Sequence, residues 1–300
     1  METRSLNNEL NISNLMSVPS VNYHLWEPCN MRCKFCFATF QDVKKTILPK
    51  GHLPKEQSLE IIKQFALFGF EKITFVGGEP TLCPWLPELI FTAKKLGMNT
   101  GIVTNGTGLN ESFLSSMQNH LDWIGLSIDS LNSETNINSG RAIAGRRSLG
   151  KDDYENLMKM IQKYDYKIKI NTVVNSYNVN ENMTEFIHKF KIQRWKVFQV
   201  LPIKGENDHF INEMKVSTIQ FEEYLNRHYL VGNVLVPENN KQMKGSYAMV
   251  DPAGRFFENK TGKLQYSEPI LKVGVAKAYS QANPDIKKFL DRGGLYDWNN

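Results

Sequence analysis

The sequence predicts an α/β fold, namely a partial (βα)6 barrel followed by a carboxyl-terminal α+β extension. Short apolar segments rich in β-branched and aromatic residues recur along the chain as far as Leu201. Stretches with the apolar spacing of amphipathic helices lie between them. Strands that alternate with helices are joined by right-handed crossovers, so this pattern indicates one sheet of parallel strands.

The predicted strands and helices follow one another in a regular order. Strands are expected at 21–25, 72–76, 99–103, 123–128, 167–174 and 194–201. Helices are expected at 55–68, 85–96, 111–117, 152–164 and 180–190. The alternation then fades, leaving a helix at 218–228 and a short strand at 234–237. We predict a loose tail over 1–20, the partial barrel over 21–201, and an extension over 202–300 that closes the open side of the barrel.

The composition fits a folded domain and argues against several other classes of protein. The chain has 300 residues, 41% of them hydrophobic, and its 36 basic and 31 acidic residues give a net charge of +5. This excess is too small for a protein that coats nucleic acid, but it suits a pocket for a polyanionic small molecule. No apolar run approaches the roughly 18 residues of a membrane span, and a signal peptide is not evident. We expect a cytoplasmic protein with no membrane or nucleic-acid partner.

Three of the four cysteines crowd into one short loop after the first strand. Cys29, Cys33 and Cys36 have the spacing C-x-x-x-C-x-x-C. Three thiolates on one loop suit three corners of a cubane iron-sulfur cluster and leave the fourth iron open for a ligand. The alternative is a structural zinc site completed by Cys83 or a histidine, but such sites usually pair their ligands as two knuckles. We interpret Cys83 as an ordinary small residue.

Further polar motifs follow the next strands of the predicted barrel. They are Gly77-Gly78-Glu79-Pro80, Thr104-Asn105-Gly106 and Ser127-Ile128-Asp129. The loops after the carboxyl ends of parallel strands meet on one rim, where such folds place their functional residues. Each motif alone also fits a plain turn or a solvent-facing side chain. Together with the cysteines on one rim, they favour a site.

These motifs resemble the radical S-adenosylmethionine (SAM) superfamily. In that superfamily the open iron chelates the amino and carboxylate groups of SAM, and the reduced cluster cleaves SAM to a 5′-deoxyadenosyl radical. The resemblance therefore implies a [4Fe-4S] cluster on the three cysteines, with SAM bound beside it. The residues expected to contact SAM are short polar groups, a carboxylate, two glycines and one aromatic ring: Phe35, Gly77, Gly78, Glu79, Asn105 and Ser127.

The chain also resembles a narrower group, the viperin family of antiviral radical SAM enzymes. The similar passages are 21–24, 36–37, 71–73, 183–185, 194–199, 205–207, 236–238, 243–244, 246–247 and 293–294. They span most of the chain, from Val21 to Trp298. The resemblance implies a dehydration of CTP, UTP or GTP to the 3′-deoxy-3′,4′-didehydro nucleotide, a chain terminator for viral polymerases. An electron donor is the other implied partner.

The same resemblance implies the residues that hold the nucleotide. Its phosphate contacts map onto Asn22, Lys72, Arg146, Lys169, Asn171, Arg194 and Lys196, with Lys263 as a further candidate. Tyr247 matches a tyrosine beside the ribose, as the catalytic candidate, although ordinary packing also explains it. Each lysine alone fits a solvated surface charge. Strand alternation puts Lys169 and Asn171 on one face without deciding which face that is.

One departure from the family concerns membrane association. Animal viperins carry an amphipathic amino-terminal helix that binds lipid droplets, whereas a short polar tail precedes Val21 here. We expect a prokaryotic or otherwise soluble member without membrane binding. Two other functions stay open from the sequence: a radical SAM enzyme of peptide or cofactor maturation, and a metal-binding sensor. The first often carries extra cysteines in its extension, and the extension here contains none.

Overall fold

The computed structural model describes residues 17–298, so the tail predicted over 1–20 lies outside the described residues except for 17–20. Within that range, ten strands form one sheet in the order β10-β9-β8-β1-β2-β3-β4-β5-β6-β7. The strands are β1 Ser20–Trp26, β2 Lys72–Gly77, β3 Asn99–Thr104, β4 Trp123–Ser127, β5 Lys167–Val174, β6 Arg194–Gln199, β7 Leu235–Glu238, β8 Ala248–Val250, β9 Arg255–Glu258 and β10 Gln265–Pro269.

The α-helices of the described chain alternate with the first six strands and then continue through the extension. They are Lys55–Phe68, Leu86–Lys95, Glu111–Met117, Ser133–Asn138, Lys151–Gln162, Thr184–Lys189, Ile211–Met214, Thr218–Arg227, Asn240–Met243, Ile270–Val273, Val275–Ala282 and Ile286–Asp291. The strands β1 to β6 pair in parallel in chain order. The predicted α/β fold with parallel strands is therefore confirmed.

Local sequence explains where the helices begin and end. The helix Lys55–Phe68 follows Pro54 and stops at Gly69, which takes the left-handed conformation at φ 99°. The helix Thr218–Arg227 starts with a capping box, in which Ser217 accepts from the backbone of Gln220 and Gln220 accepts from that of Ser217. The helix predicted over 180–190 is shorter, spanning Thr184–Lys189, and the Asn182 carboxamide oxygen accepts from the Thr184 N–H in the turn that precedes it.

The segment after residue 201 adds strands to both sides of the barrel sheet. Its strand β7 pairs in parallel with β6, and its strand β8 pairs in parallel with β1. The first and last strands of the barrel thus both lie inside the sheet, with β9 and β10 added in antiparallel pairs. The division at residue 201 stays a prediction, since one sheet runs across it.

Alternation along the central strands separates a packed face from a cavity face. In β5, Ile168 and Ile170 are at most 1% exposed and belong to the main hydrophobic core, whereas Lys169 and Asn171 are partly exposed. In β2, Ile73 and Phe75 belong to that core as well. The sheet therefore turns its polar side chains to one face, which the sequence alone left undecided. Along residues 17–298, the helices are all too short or too polar to cross a bilayer.

Candidate active site

The cavity face of the sheet encloses a space of about 910 Å³. Most of the predicted site residues line it: Asn22, Cys29, Cys33, Phe35, Cys36, Lys72, Gly77, Gly78, Glu79, Asn105, Ser127, Lys169, Asn171, Arg194, Lys196 and Tyr247. The cavity thus brings together the predicted cluster, SAM and nucleotide residues. Two predicted residues, Arg146 and Lys263, are exposed and do not belong to its lining.

The three cysteines of the β1 loop carry free, half-buried thiols. The backbone of the loop is folded by a bond from the Cys36 N–H to the Cys33 carbonyl (3.1 Å), and the Met31 N–H donates to the Cys29 Sγ (3.4 Å). Burial raises the pKa of Cys33 to about 12 and that of Cys36 to about 11. Cys83 is only 3% exposed and lies in the hydrophobic core, as expected for an ordinary small residue.

The donor set of this loop fits an iron-sulfur cluster rather than a single ion. Among residues 17–298, no group of His, Cys, Asp or Glu side chains converges closely enough to hold one metal ion. A cubane binds each thiolate to a different iron, so its ligands need not converge on one point. The three sulfurs also border a cavity, which leaves room for the inorganic part of a cluster.

The two glycines after β2 are required by a close approach to the cysteine loop. A Cβ atom on Gly78 would lie 2.1 Å from the Glu27 carbonyl oxygen and 2.4 Å from that of Pro28. The two backbone segments are also joined by a hydrogen bond of 2.9 Å from the Glu79 N–H to the Pro28 carbonyl. Any larger residue at position 78 would displace the backbone just before Cys29. The Gly-Gly turn therefore holds the cysteine loop in place.

The Glu79 carboxylate joins two loops at this end of the cavity. One oxygen accepts from the Thr81 and Thr104 hydroxyls, both at 2.6 Å, and the other accepts from the Asn105 N–H at 2.8 Å. Burial raises the pKa of Glu79, and these hydrogen bonds oppose the shift. The Asn105 amide in turn donates to the Asn30 side chain at 2.8 Å. These bonds organise the predicted SAM site, while direct contacts with SAM stay predictions.

An ion pair that sequence reasoning missed lies beside the cysteines. The Arg141 Nε donates to the Asp129 carboxylate, and both residues are nearly buried and line the cavity. The guanidinium also stands over the Phe35 ring, 5.4 Å from its centroid. The family resemblance implies Arg146 from this loop, whereas the structure brings Arg141 to the cavity. Arg141 and Asp129 are 12 positions apart in the chain, and no sequence motif links residues at that separation.

Basic residues from neighbouring strands gather at the other end of the cavity. The register pairs Lys169 with Arg194 and Asn171 with Lys196 across β5 and β6. Burial, followed by the charges of Lys169 and Arg194, lowers the pKa of Lys72 to about 5. Burial and the charge of Arg194 lower the pKa of Lys169 to about 8. Such crowding of buried positive charges is costly unless an anion meets them.

Several polar atoms at this end, the Trp298 Nε1 among them, are buried without a hydrogen-bond partner, and two of these atoms lie on the adjacent strands β5 and β6. They are the carboxamide oxygen of Asn171 and the Nε of Arg194. Buried polar atoms are normally paired, so an orphaned acceptor and donor on adjacent strands indicate a polar ligand. Both residues line the cavity.

The carboxyl-terminal segment completes this end of the cavity. The Lys72 Nζ donates to the Tyr296 hydroxyl and lies 4.8 Å from the Trp123 ring and 5.3 Å from the Trp298 ring. Arg292 also lines the cavity. These residues could not be predicted from the sequence pattern, because a short, mixed tail shows no periodic signal. Only the family resemblance at 293–294 pointed towards them.

The chain matches a known family over most of this architecture. Residues 25–211 match the model described as the Radical SAM superfamily. A solved structure described as "Native anSMEcpe with bound AdoMet" is 17% identical, with a TM-score of 0.66 over 87% of this chain and 80% of that chain. The Streptococcus suis SuiB structure with S-adenosylmethionine is 19% identical, with a TM-score of 0.61 over 85% and 63%. These likenesses show the fold. The protein is a radical SAM enzyme.

Relatives define its family within that superfamily. The S-adenosylmethionine-dependent nucleotide dehydratase of Flammeovirga pacifica is 56% identical over 94% of this chain and 96% of the relative. One from Lacinutrix mariniflava is also 56% identical over 96% of this chain, which spans 60% of that relative's length. The dehydratase RSAD2 of Danio rerio is 38% identical over 93% of this chain and 78% of the relative. The chain belongs to the S-adenosylmethionine-dependent nucleotide dehydratases, and its resemblance to the viperins is confirmed.

The family also fixes the cofactors, which are a [4Fe-4S] cluster and SAM. The residues present fit this pair, since three thiols outside any disulfide and a turn organised by Glu79 border one cavity. Cys29, Cys33 and Cys36 would hold the cluster. The polar residues of the neighbouring loops would hold SAM.

Proposed function

We propose that the protein is a lyase-type radical SAM enzyme that removes one water from a ribonucleoside triphosphate. The product is the 3′-deoxy-3′,4′-didehydro nucleotide. The observation that carries the proposal is one cavity lined by three free cysteines and by a group of partly buried lysines and arginines. A triphosphate needs several converging cations, and the cluster must lie within reach of its ribose. The names of the relatives support the same reaction class.

The basic end of the cavity would bind the phosphates. Lys169 and Arg194 lie side by side on β5 and β6, and Lys72 belongs to β2. A bound polyanion would offset the burial and the mutual repulsion that together lower the pKa values of Lys72 and Lys169. The orphaned Asn171 oxygen would accept a hydrogen bond from the ligand, and Asn22 borders the same space. Arg146 and Lys263 stay predictions that rest on the resemblance.

The other end would serve the cofactors. When bound, the cluster and SAM supply a radical that can take a hydrogen atom from a ribose carbon. Gly77 and Gly78 keep the turn against the cysteine loop, and Glu79 ties that turn to Asn105. Ser127 and the Phe35 ring complete the lining. We propose these residues as the SAM contacts.

The biological role would follow from the product. A nucleotide without a 3′-hydroxyl cannot be extended, so it would terminate viral polymerase products. We propose an antiviral role in the cytoplasm, where a reducing compartment keeps the four free cysteines available. An external electron donor would supply the reducing equivalents. The nucleobase would be cytosine, uracil or guanine.

The test is a substrate screen with reconstituted protein under anaerobic conditions. The protein is incubated with SAM, dithionite and each ribonucleoside triphosphate in turn. Mass spectrometry should find 5′-deoxyadenosine together with a nucleotide lighter by one water. If no triphosphate gives both, the proposal fails.

A second measurement separates the proposal from a maturation enzyme. The extension contains no cysteine, so about four irons per chain are expected from a single cubane. A clearly higher iron content would indicate auxiliary clusters. A colourless protein that contains zinc and does not respond to SAM would indicate a structural metal site instead.

A further inference from the structure

Glu238 is a buried carboxylate that lies immediately behind the basic end of the cavity. It is the last residue of β7 and is paired in register with Phe198 of β6. Its exposed fraction is zero, and it does not itself line the cavity. It belongs to the passage 236–238 that resembles the family, but no role was predicted for it, because a glutamate that ends a short strand usually faces solvent.

The Glu238 carboxylate contacts three residues that do line the cavity. One oxygen forms ion pairs with the Lys196 Nζ and, at 3.4 Å, with the Arg292 guanidinium. The other oxygen accepts the hydroxyl proton of Tyr247. Because these residues come from β6, the segment before β8 and the end of the last helix, one carboxylate organises three separate parts of the wall.

Tyr247 is held by the same group from several sides. The Lys196 Nζ donates to its hydroxyl at 2.7 Å, and the Arg292 guanidinium stands 3.6 Å from the centroid of its ring. The hydroxyl proton is committed to Glu238, so the phenol has one fixed orientation. A tyrosine that served only for packing would not need two buried ionisable groups, Glu238 and Lys196, hydrogen-bonded to its hydroxyl.

The charge state of Glu238 agrees with this arrangement. Burial acts to raise its pKa, but the charges of Lys196 and Arg292 outweigh it and hold the pKa below the usual range. The carboxylate is therefore ionised at neutral pH. It pairs with Lys196 within the protein, whereas Lys169 forms no ion pair with another residue of 17–298.

We infer that Glu238 is a positioning residue of the reaction, which orients Tyr247 and Lys196 towards the sugar and contributes nothing favourable to phosphate binding. This inference rests on the proposed function and on the family resemblance, which implies that Tyr247 lies beside the ribose. A negative charge near the phosphates opposes their binding, so we assign the favourable contribution of Glu238 to another step. That step is the conversion of the bound sugar.

The test is the isosteric variant Glu238→Gln. The amide would present an N–H either to the Tyr247 hydroxyl or to the two cations, so the phenol would lose its fixed orientation. Calorimetry without reductant should show triphosphate affinity that is equal to or higher than that of the wild type. The ratio of dehydrated nucleotide to 5′-deoxyadenosine should fall roughly tenfold or more, as expected for loss of a hydrogen bond to a charged group.

Asp251→Asn is the matched control. Asp251 is fully buried and forms an ion pair with Arg255 at 2.6 Å, yet neither residue lines the cavity. This variant should lose thermal stability comparably but keep the wild-type product ratio. Glu238→Asp, which retains the charge, should recover part of the ratio and provides a folded comparison if Glu238→Gln does not fold.

Three outcomes are decisive. Weaker nucleotide binding in Glu238→Gln with an unchanged product ratio would overturn the inference, because Glu238 would then act on binding. If the product ratio of Glu238→Gln equals that of Asp251→Asn, Glu238 has only a structural role. If Glu238→Gln does not fold, the ratio of Glu238→Asp is compared with that of Asp251→Asn instead. If the wild-type protein dehydrates no triphosphate, the proposed function itself fails, and this result is distinct from the other two.

Discussion

The Nζ of Lys72 lies 2.6 Å from the hydroxyl of Tyr296, although the two residues are 224 positions apart. Tyr296 also stacks on the Arg194 guanidinium, 4.4 Å from its ring centroid. The Arg194 Nη2 donates to the Gly293 carbonyl at 2.6 Å. The end of the chain thus contacts two of the basic residues that the nucleotide is proposed to meet.

Binding of a nucleoside triphosphate should take up a proton on Lys72. Its pKa of about 5 leaves the amine neutral at pH 7, and a phosphate beside it would raise that pKa above 7. Calorimetry in two buffers of different ionisation enthalpy measures the uptake. Lys72→Met should remove most of it. An equal uptake in this variant would show that another group titrates.

Triphosphate affinity should fall as the pH rises through about 8, the pKa of Lys169 in the free protein. Below that pH the ammonium is charged and attracts phosphate, whereas above it the neutral amine loses roughly a tenfold contribution. Lys169→Arg stays charged at these pH values and should show a much weaker dependence. Calorimetry on both proteins between about pH 7 and pH 9 checks this. Parallel curves would contradict the assignment.

The same shift affects the stability of the ligand-free protein. The unfolded chain holds the Lys169 proton up to its ordinary pKa of 10.5, while the folded state releases it near 8. The unfolded state therefore binds more protons in this interval, and the contribution of Lys169 to the free energy of unfolding rises with pH from about 8 to 10.5. Urea titrations of the wild type and Lys169→Met across the interval isolate that contribution. If the difference in free energy of unfolding between the two proteins does not change with pH, Lys169 makes no such contribution.

Replacing Cys29, Cys33 or Cys36 with Ala should each remove the cluster and the activity. Three thiolates hold the cubane, so the loss of one opens a second iron. Iron and sulfide analysis after anaerobic reconstitution measures this. Cys83→Ala is the control and should retain the cluster, at a cost of about 1 kcal/mol in stability from the vacated core volume. Equal iron loss in all four variants would revise the ligand set.

Arg141→Leu should lower the free energy of unfolding by about 3–5 kcal/mol, because it leaves the Asp129 carboxylate buried and unpaired. Urea denaturation checks this value. The exposed neighbour Arg147 supplies the control, since Arg147→Leu should change stability by less than about 0.5 kcal/mol. A second change, Asp129→Asn, should recover part of the loss in Arg141→Leu. Additive effects would show that the two side chains are not coupled.

The barrel could be predicted because its signals are local. The helix predicted over 55–68 has those bounds in the structure, and the strand predicted over 167–174 does as well. Strands β8 to β10 were missed because they span only three to five residues and depend on pairing with β1 or with one another. Short segments of this kind carry too few residues for a periodic pattern.

The residues of the candidate site also divide into those that the local sequence predicts and those that it does not. The cysteine spacing and the Gly-Gly-Glu turn are continuous in sequence, so they could be recognised directly. Glu238 and Arg141 act through partners distant in the chain, and no spacing announces such a contact. The face of Lys169 required the sheet itself, because alternation fixes which residues share a side and not which side faces the cavity.

The pairing of β1 with β8 has a consequence for how the protein is made. Val21 emerges from the ribosome long before its partner Ala248, by roughly 10 to 45 s at a synthesis rate of about 5–20 residues per second. Throughout that interval one edge of the nascent barrel has unpaired backbone groups, as does the outer edge of β6 until β7 appears. A truncated chain that stops at Leu201 would keep both edges open. Such a fragment should associate with itself rather than accept a cluster.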